Sequence, residues 1–245
     1  MKIAVAEIAP FWESKDENKK MVSELFNQAR AGEVELMLFP EMTLTGFTMN
    51  TSMYDDGKDL EFFKENAEKY GIAVVFGRIV KYKDSFYNAA TFYDPFTKTT
   101  TDYFKRKLFK YGKEDQYYTP GDRAIRFRYK GIEFSPFVCF DLRFPELFCD
   151  AKGADVFIVI ASWPEKRKDH WHTLLKARAI ENQTFIFGVN RSGRDPITAY
   201  DHLSIAFDYY GNTLKAISHE SLKIYNITTE MLQVMYRWRE SFPYH

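Results

Sequence analysis

The run IAVVFGRIVKYKDSFYNAATFYDPFTKTTTDYF at residues 72–104 marks a change of pattern in the chain. Its opening residues, Ile72 to Val80, are apolar and β-branched and read as a buried strand. Further on, Tyr87–Tyr93 and Thr99–Phe104 stand on either side of Asp94-Pro95, a turn dipeptide, and so predict a hairpin. A strand reached through a helix pairs in parallel, whereas a hairpin pairs antiparallel. Upstream the chain is of the first kind. Ile3–Ile8 reads as a strand. From Ser14 to Arg30 the positions Met21, Val22, Leu25, Phe26 and Ala29 recur at helical spacing, with Gly32 as the stop. Leu36–Phe39 is a second strand, and Leu60–Tyr70 an amphipathic helix ended by Gly71. The first 80 residues therefore run β-α-β-α-β.

Downstream both kinds appear. Ile125–Tyr129 and Ile132–Val138 flank Lys130-Gly131, and His202–Phe207 and Thr213–Ile217 flank Tyr210-Gly211, giving two more predicted hairpins. Between them lie a strand at Val156–Ile160, a helix at Lys168–Asn182 with a face of Trp171, Leu174, Leu175 and Arg178, and a strand at Phe185–Asn190. A last helix covers Thr228–Arg237. Parallel units mixed with hairpins predict an α/β fold of two mixed β-sheets with helices outside, a four-layer α-β-β-α sandwich. No repeat, low-complexity tract or Gly/Ser linker divides the chain, so one domain over 1–245 is expected.

Composition narrows the function classes. Lys plus Arg balance Asp plus Glu at 34 each, which leaves no electrostatic case for nucleic acid or an anionic membrane. No run approaches the roughly 20 apolar residues needed to span a bilayer. Two cysteines, Cys139 and Cys149, are too few for a disulfide scaffold, and a reducing cytoplasm is the expected setting. Aromatics make up 18% of residues, which suits an aromatic core or an aromatic-lined pocket.

Three residue types invite chemistry. Cys139 follows the strand IEFSPFV and precedes FDLRFPE, where a helix is expected to begin. It is either a small buried hydrophobe or a thiol whose pKa is lowered by a helix N-terminus, with N–H groups placed to bind an oxyanion. The five histidines are poorly placed as partners. His170 and His172 point to different faces of one helix, His202 lies in a predicted strand, and His219 and His245 lie near the end. Carboxylate is the other candidate base. Glu41 follows the strand LMLF and Pro40 at a strand's carboxyl end, where α/β sheets bind ligands; it is otherwise a surface loop carboxylate. Lys105, Arg106, Lys107 and Lys110 form a basic cluster from which spacing alone selects no member.

Taken together, FPEMTLTGF (39–47), YFKRKLFKYGKEDQYYTPG (103–121) and FVCFDLRFPELF (137–148) resemble the nitrilase, or carbon–nitrogen hydrolase, superfamily. ASWPEKR (161–167), HWHTLLKARAIENQTFIFGVNRSG (170–193) and YRWRESFP (236–243) are similar to further segments of that family, so the resemblance covers essentially the whole chain. It implies a Glu41–Lys105–Cys139 triad in this chain order and the α-β-β-α fold. It also selects Lys105, two residues after Tyr103; Lys107 stands at the family's usual His position, a departure. Glu114 matches the second glutamate that holds the lysine or the substrate. The closest likeness is to the omega-amidase-like branch, which cleaves small dicarboxylate monoamides such as 2-oxoglutaramate. The implied chemistry is a thioester on Cys139, an oxyanion held by Lys105 and the Phe140 N–H, and release of ammonia, with no metal or organic cofactor. The implied partner is a small amide, in a homodimer or larger homo-oligomer.

Nitrile or N-carbamoyl hydrolysis, or acyl transfer, on the same triad is the competing enzymatic reading. A silent binding protein and a Cys–His hydrolase of another fold are the others. Phe47, Tyr118, Arg143 and Trp163 are candidate substrate contacts, each with a structural alternative: a core or surface aromatic for Phe47 and Tyr118, packing for Trp163, a salt-bridge turn for Arg143. Asn190 and Arg191 are expected to be structural, and Arg178 and Glu181 to form helix or interface ion pairs.

Overall fold

The computed structural model describes residues 1–219 and 221–243; His245 lies outside them. The chain opens with β1 (Lys2–Ala6), α1 (Lys15–Ala31), β2 (Leu36–Leu38), α2 (Lys58–Tyr70) and β3 (Ala73–Tyr82). In α1, Val22, Leu25, Phe26 and Ala29 form the buried stripe, and Asp16 and Glu17 in the first turn and Arg30 in the last match the helix dipole. Gly71, at φ +67°, ends α2 and donates its N–H to Ala67 O. Next come β4 (Ser85–Asp94), β5 (Thr99–Phe104), β6 (Phe127–Tyr129), β7 (Ile132–Val138), α3 (Pro145–Cys149) and β8 (Val156–Ala161). The rest is α4 (Lys168–Asn182), β9 (Phe185–Asn190), a small pair β10 (Gly193–Arg194) and β11 (Ala199–Tyr200), β12 (Ile205–Phe207), β13 (Ile217–His219), β14 (Leu222–Asn226) and α5 (Thr229–Ser241).

Among the described residues these strands form two main mixed sheets, ordered β13-β14-β1-β2-β3-β4-β5 and β12-β9-β8-β7-β6. β1, β2 and β3 run parallel, as do β7, β8 and β9. Period-two alternation sorts the first sheet's side chains. Ala4, Ala6, Met37, Phe39, Val74 and Phe76 pack with Val22, Phe26 and Phe63 of α1 and α2. Ile3, Val5, Leu36, Leu38, Val75 and Phe92 face the second sheet. Phe92 stacks on Phe127 with ring centroids 3.8 Å apart, and Phe187 meets Tyr225 edge-on at 5.3 Å, so aromatic pairs bridge the sheets. On the outside of the second sheet, α4 closes over Gly188, where a Cβ would come within 2.4 Å of Leu175 and 2.8 Å of Trp171. The α-β-β-α sandwich is the fold.

Three local readings are corrected. The strands predicted to end at Val80 and to begin at Tyr87 continue through exposed residues into one hairpin, paired Tyr82↔Ser85, with Lys83 in the turn at φ +54°. Those residues lie beyond the core edge, where the apolar pattern lapses. The hairpin predicted over 202–217 splits. β12 pairs with β9, Thr213 keeps a single bridge to Phe207, and β13 crosses to the first sheet against β14, a strand the pattern did not reveal. Finally, Cys139 does not open an α-helix; a 3-10 turn over Cys139–Arg143 precedes the short α3. The last helix starts after its Thr228 cap and runs on to Ser241. Among the described residues no helix is long and apolar enough to cross a membrane.

β3 also carries the turn that holds Glu41. Phe39 N–H donates to Val75 O at 2.8 Å, Thr43 N–H to Gly77 O at 2.9 Å, and Gly77 N–H to Thr43 Oγ1 at 3.1 Å. A Cβ on Gly77 would lie 2.3 Å from Met42 N and 2.7 Å from Glu41 Cα, so the turn must shift to admit one. Gly77→Ala is expected to lower stability by about 1–3 kcal/mol in urea unfolding, as overpacking does, and to reduce activity through the displaced turn. An unchanged unfolding midpoint would contradict this close approach.

Candidate active site

Strand ends bring the site together. Glu41 lies in the turn after β2, Lys105 directly after β5, Cys139 directly after β7 and Ser162 directly after β8. This is the carboxyl edge of the parallel strands, where side chains leave the sheet with rigid support. Met42 and Cys139 both adopt φ +46°, a left-handed conformation that costs a residue with a Cβ and aims its side chain off the strand axis. Lys105 is pinned on both sides: its N–H donates to Asn88 O at 2.9 Å, and its C=O accepts from Gly121 at 2.8 Å.

Glu41, Lys105 and Glu114 are sealed from solvent. Lys105 Nζ donates to Glu41 Oε1 at 3.0 Å and to both oxygens of Glu114, at 3.0 and 2.8 Å. Glu114 Oε2 also accepts the Phe109 N–H at 2.6 Å. Asn88, in β4, donates to Glu41 Oε1 at 2.7 Å and to Glu114 Oε1 at 2.8 Å. Glu41 Oε2 accepts the Ser162 N–H at 2.8 Å. Burial alone would lower the Lys105 pKa, but Glu114 and then Glu41 outweigh it and hold the lysine protonated above its ordinary range. Two carboxylates and one ammonium leave a buried excess of negative charge. Removing one member of such a set typically costs about 3–5 kcal/mol, because it strands a buried charge.

Cys139 stands beside this excess. Burial first, and then the Glu41 charge, push its thiol well above its ordinary value, while Lys105 and the Ser162 N–H pull weakly the other way. The expected lowering by a helix N-terminus is thus reversed. The turn after Cys139 is too short to carry a strong dipole, and the charge that acts most on the thiol, Glu41, is negative.

A second carboxylate, buried Asp141, ties the thiol's turn to the lysine's loop. It accepts from Val138 N–H at 3.0 Å, Tyr103 O–H at 2.8 Å, Arg106 N–H at 3.2 Å and Lys107 N–H at 2.8 Å. Burial pushes its pKa up to about 6, partly offset by these donors. Lys107, at the departure position, pairs with Glu146 at 3.1 Å, away from the triad.

A cavity of about 900 Å³ opens onto Lys105, Cys139 and Ser162. Of the candidate substrate contacts, Phe47, Arg143 and Trp163 line it, with Phe140, Trp12, Phe109, Tyr117 and Arg167. Tyr118 does not: it is buried with Met42 and Ile79, and its hydroxyl donates to Thr48 O at 2.7 Å, so core packing is its place and the adjacent Tyr117 faces the cavity. Glu114 is not among the residues lining the cavity, and both of its oxygens accept from Lys105. Lys105 Nζ lies 5.3 Å from the Phe47 ring centroid. Arg143 forms no salt-bridge turn. It lies over Trp163 at 4.9 Å and 3.2 Å from His170 Nδ1, and among the described residues neither it nor Arg167 has a carboxylate partner. Burial, and next the neighbouring Arg167, lower the Arg143 pKa.

Asn190 and Arg191 are structural, as expected. Asn190 brackets the Trp163 backbone at 2.7 and 3.0 Å, and Arg191 is spent on carbonyls and the Tyr200 face. Arg178 bonds Glu181 at 2.8 Å within α4. Sequence reasoning passed over Asn88, Asp141, Ser162 and Arg167. A lone Asn within the apolar run FYNAATFY and a lone Asp within FVCFDLRF were the available signals.

The family model described as carbon–nitrogen hydrolase matches residues 2–240. The 2-oxoglutaramate amidase of Bacillus subtilis is 32% identical over 199 residues, 78% of this chain and 77% of that protein. The omega-amidase YafV of Yersinia enterocolitica is 29% identical over 213 residues, covering 85% and 82%. Among solved structures, a CN-hydrolase superfamily protein from Xanthomonas campestris, which carries an arsenic adduct in its active site, superposes with a TM-score of 0.90 at 28% identity, covering 99% of this chain and 95% of that one.

With the thiol pushed up, Cys139 is neutral in the resting protein. Ultraviolet titration of wild type against Cys139→Ser is expected to show no thiolate difference between about pH 6 and pH 8, and one only at strongly alkaline pH. A thiolate signal near neutrality would contradict the balance of burial and charge described above.

Proposed function

The chain belongs to the carbon–nitrogen hydrolase family and hydrolyses amides, and from that premise we propose that it cleaves small dicarboxylate monoamides, 2-oxo acids among them, through a thioester on Cys139. The observation that carries this reading is a buried Glu41–Lys105–Glu114 set beside a thiol that burial pushes up, on a cavity lined by Arg143 and Arg167, which among the described residues have no acid partners.

Glu41 takes the thiol proton as Sγ attacks the amide carbonyl carbon. The carbonyl oxygen becomes an oxyanion facing Lys105 Nζ and the Phe140 N–H, one of the donors that the start of a 3-10 turn leaves without an internal partner. Collapse breaks the C–N bond, and ammonia leaves with the proton returned by Glu41. A water deprotonated by Glu41 then attacks the thioester; the carboxylic acid departs and the thiol regains its proton. Glu114 acts through Lys105, holding the ammonium in register. Arg143, backed by Arg167, receives the distal carboxylate of the substrate, which supports an omega-amide over a neutral amide. The amidases of Bacillus subtilis and Yersinia enterocolitica named above support the same substrate class.

Ammonia release is to be measured over 2-oxo dicarboxylate monoamides, neutral amides, nitriles and N-carbamoyl amino acids. The expected result is a preference for the first group and loss of several orders of magnitude in Cys139→Ala. Arg143→Met is expected to raise KM for the carboxylate-bearing amides by about 10–100-fold, the worth of a charge-assisted hydrogen bond, and to leave neutral amides nearly unchanged. Full activity in Cys139→Ala would sink the thioester mechanism, and a preference for nitriles would move the substrate class.

A further inference from the structure

We propose that Asn88 is a positioning residue of this reaction: its side-chain amide turns the Glu41 carboxylate so that Oε2, and not Oε1, takes the thiol proton. The proposal rests on the reading of Glu41 as the base and assigns the atom that acts.

The hydrogen bonds distinguish the two oxygens. Glu41 Oε1 accepts from Lys105 Nζ at 3.0 Å and from Asn88 Nδ2 at 2.7 Å, which uses both of its lone pairs. Among the described residues Oε2 accepts only the Ser162 N–H, at 2.8 Å, and so keeps a lone pair free; that same N–H also acts as a donor to Cys139, and the Glu41 charge acts on its thiol. Asn88 gives its second amide proton to Glu114 Oε1 at 2.8 Å, so one –NH2 group spans two carboxylates that would otherwise repel each other. Its amide cannot be turned round, because Oδ1 would then face both carboxylates.

The remaining atom of the amide points the same way. Asn88 is wholly buried, and among the described residues its Oδ1 accepts no hydrogen bond. A buried acceptor left unmet is unfavourable, so the position is occupied for its two donors. A second lysine or arginine could also bridge the glutamates, but it would cancel the negative charge that, after burial, pushes the Cys139 thiol up. An amide supplies direction without charge. Asn88 also accepts the Lys105 N–H through its own C=O at 2.9 Å, so one residue sets both the lysine and the base. It does not line the cavity, and its effect reaches the substrate only through Glu41 and Lys105.

The test compares wild type with Asn88→Ala, Asn88→Ser and Asn88→Asp, using steady-state ammonia release and the rate of Cys139 alkylation by iodoacetamide, read by peptide mass spectrometry so that Cys149 does not interfere. Alkylation needs no knowledge of the substrate. Asn88→Ala is expected to lower kcat by about 10–100-fold with KM within about twofold, as for a displaced general base. It is also expected to slow Cys139 alkylation and to move the acidic limb of the pH profile upward. Asn88→Ser, with one donor, falls between. Asn88→Asp donates only while it holds a proton, so its activity is expected to fall as pH rises where that of wild type does not.

Asn88→Ala that keeps wild-type kcat, alkylation rate and pH limb would overturn the proposal. So would failure of all three variants to fold by circular dichroism, which would leave Asn88 a folding residue. Glu41→Gln separates this from the underlying reading. If Glu41→Gln turns over and alkylates like wild type, the base assignment fails; if Glu41→Gln is impaired and Asn88→Ala is not, only the role of Asn88 fails.

Discussion

A single ammonium held between two carboxylates with no access to water constrains everything around it. Lys105 stays charged there only because Glu41 and Glu114 are both within hydrogen-bond distance, and the carboxylates tolerate burial only because the lysine and Asn88 satisfy them. No member can be moved alone without leaving a buried charge or donor unmet. The fold meets this demand by delivering each group from a strand end: Glu41 after β2, Lys105 after β5, Cys139 after β7, with Asn88 within β4. Gly77 and Gly121 are the matching backbone concessions, places where a Cβ would strike the Glu41 turn or the Phe104 carbonyl.

Burial first, and then the Glu41 charge of that set, push the thiol up. In a site built around an imidazolium, the cysteine is held as a thiolate by a neighbouring positive charge. Here the cation already belongs to two carboxylates, and burial with the Glu41 charge pushes the Cys139 thiol up; in the proposed mechanism its activation is deferred to the moment of attack. In the proposed mechanism proton transfer to Glu41 is part of the chemical step, so the geometry of one carboxylate oxygen matters more there than the resting pKa of the thiol.

Asp141 is the counterpart of this arrangement on the outer side. By collecting N–H groups from the turn of Cys139 and from the loop after Lys105, it makes the relative placement of nucleophile and ammonium a property of one carboxylate. Arg143 and Arg167, which have no carboxylate partner among the described residues, lie on the cavity wall beyond this frame. Burial, and next the neighbouring Arg167, lower the Arg143 pKa, and in the proposed reading the substrate carboxylate offsets the repulsion between the two.

Much of this was legible in the chain. The helical spacing of Val22, Leu25 and Phe26, the Gly71 stop and the Asp94-Pro95 turn are local signals, and local signals determined the β-α-β-α-β opening, the mixed sheets and their layering. The motif residues Glu41, Lys105 and Cys139 could be read as a set from their resemblance to a family. What the chain could not express was pairing at a distance. β14 and its place beside β1 depend on a partner more than two hundred residues away, and its short half-buried pattern is weak by itself. The same holds for Asn88, whose meaning comes from two glutamates on other loops, and for Tyr118 and Tyr117, identical neighbours that the backbone turns to opposite sides. Above all it holds for Cys139: sequence placed it at a strand end before a supposed helix, which argues for a lowered pKa, and only the three-dimensional burial beside an excess of carboxylates decided that the thiol rests neutral.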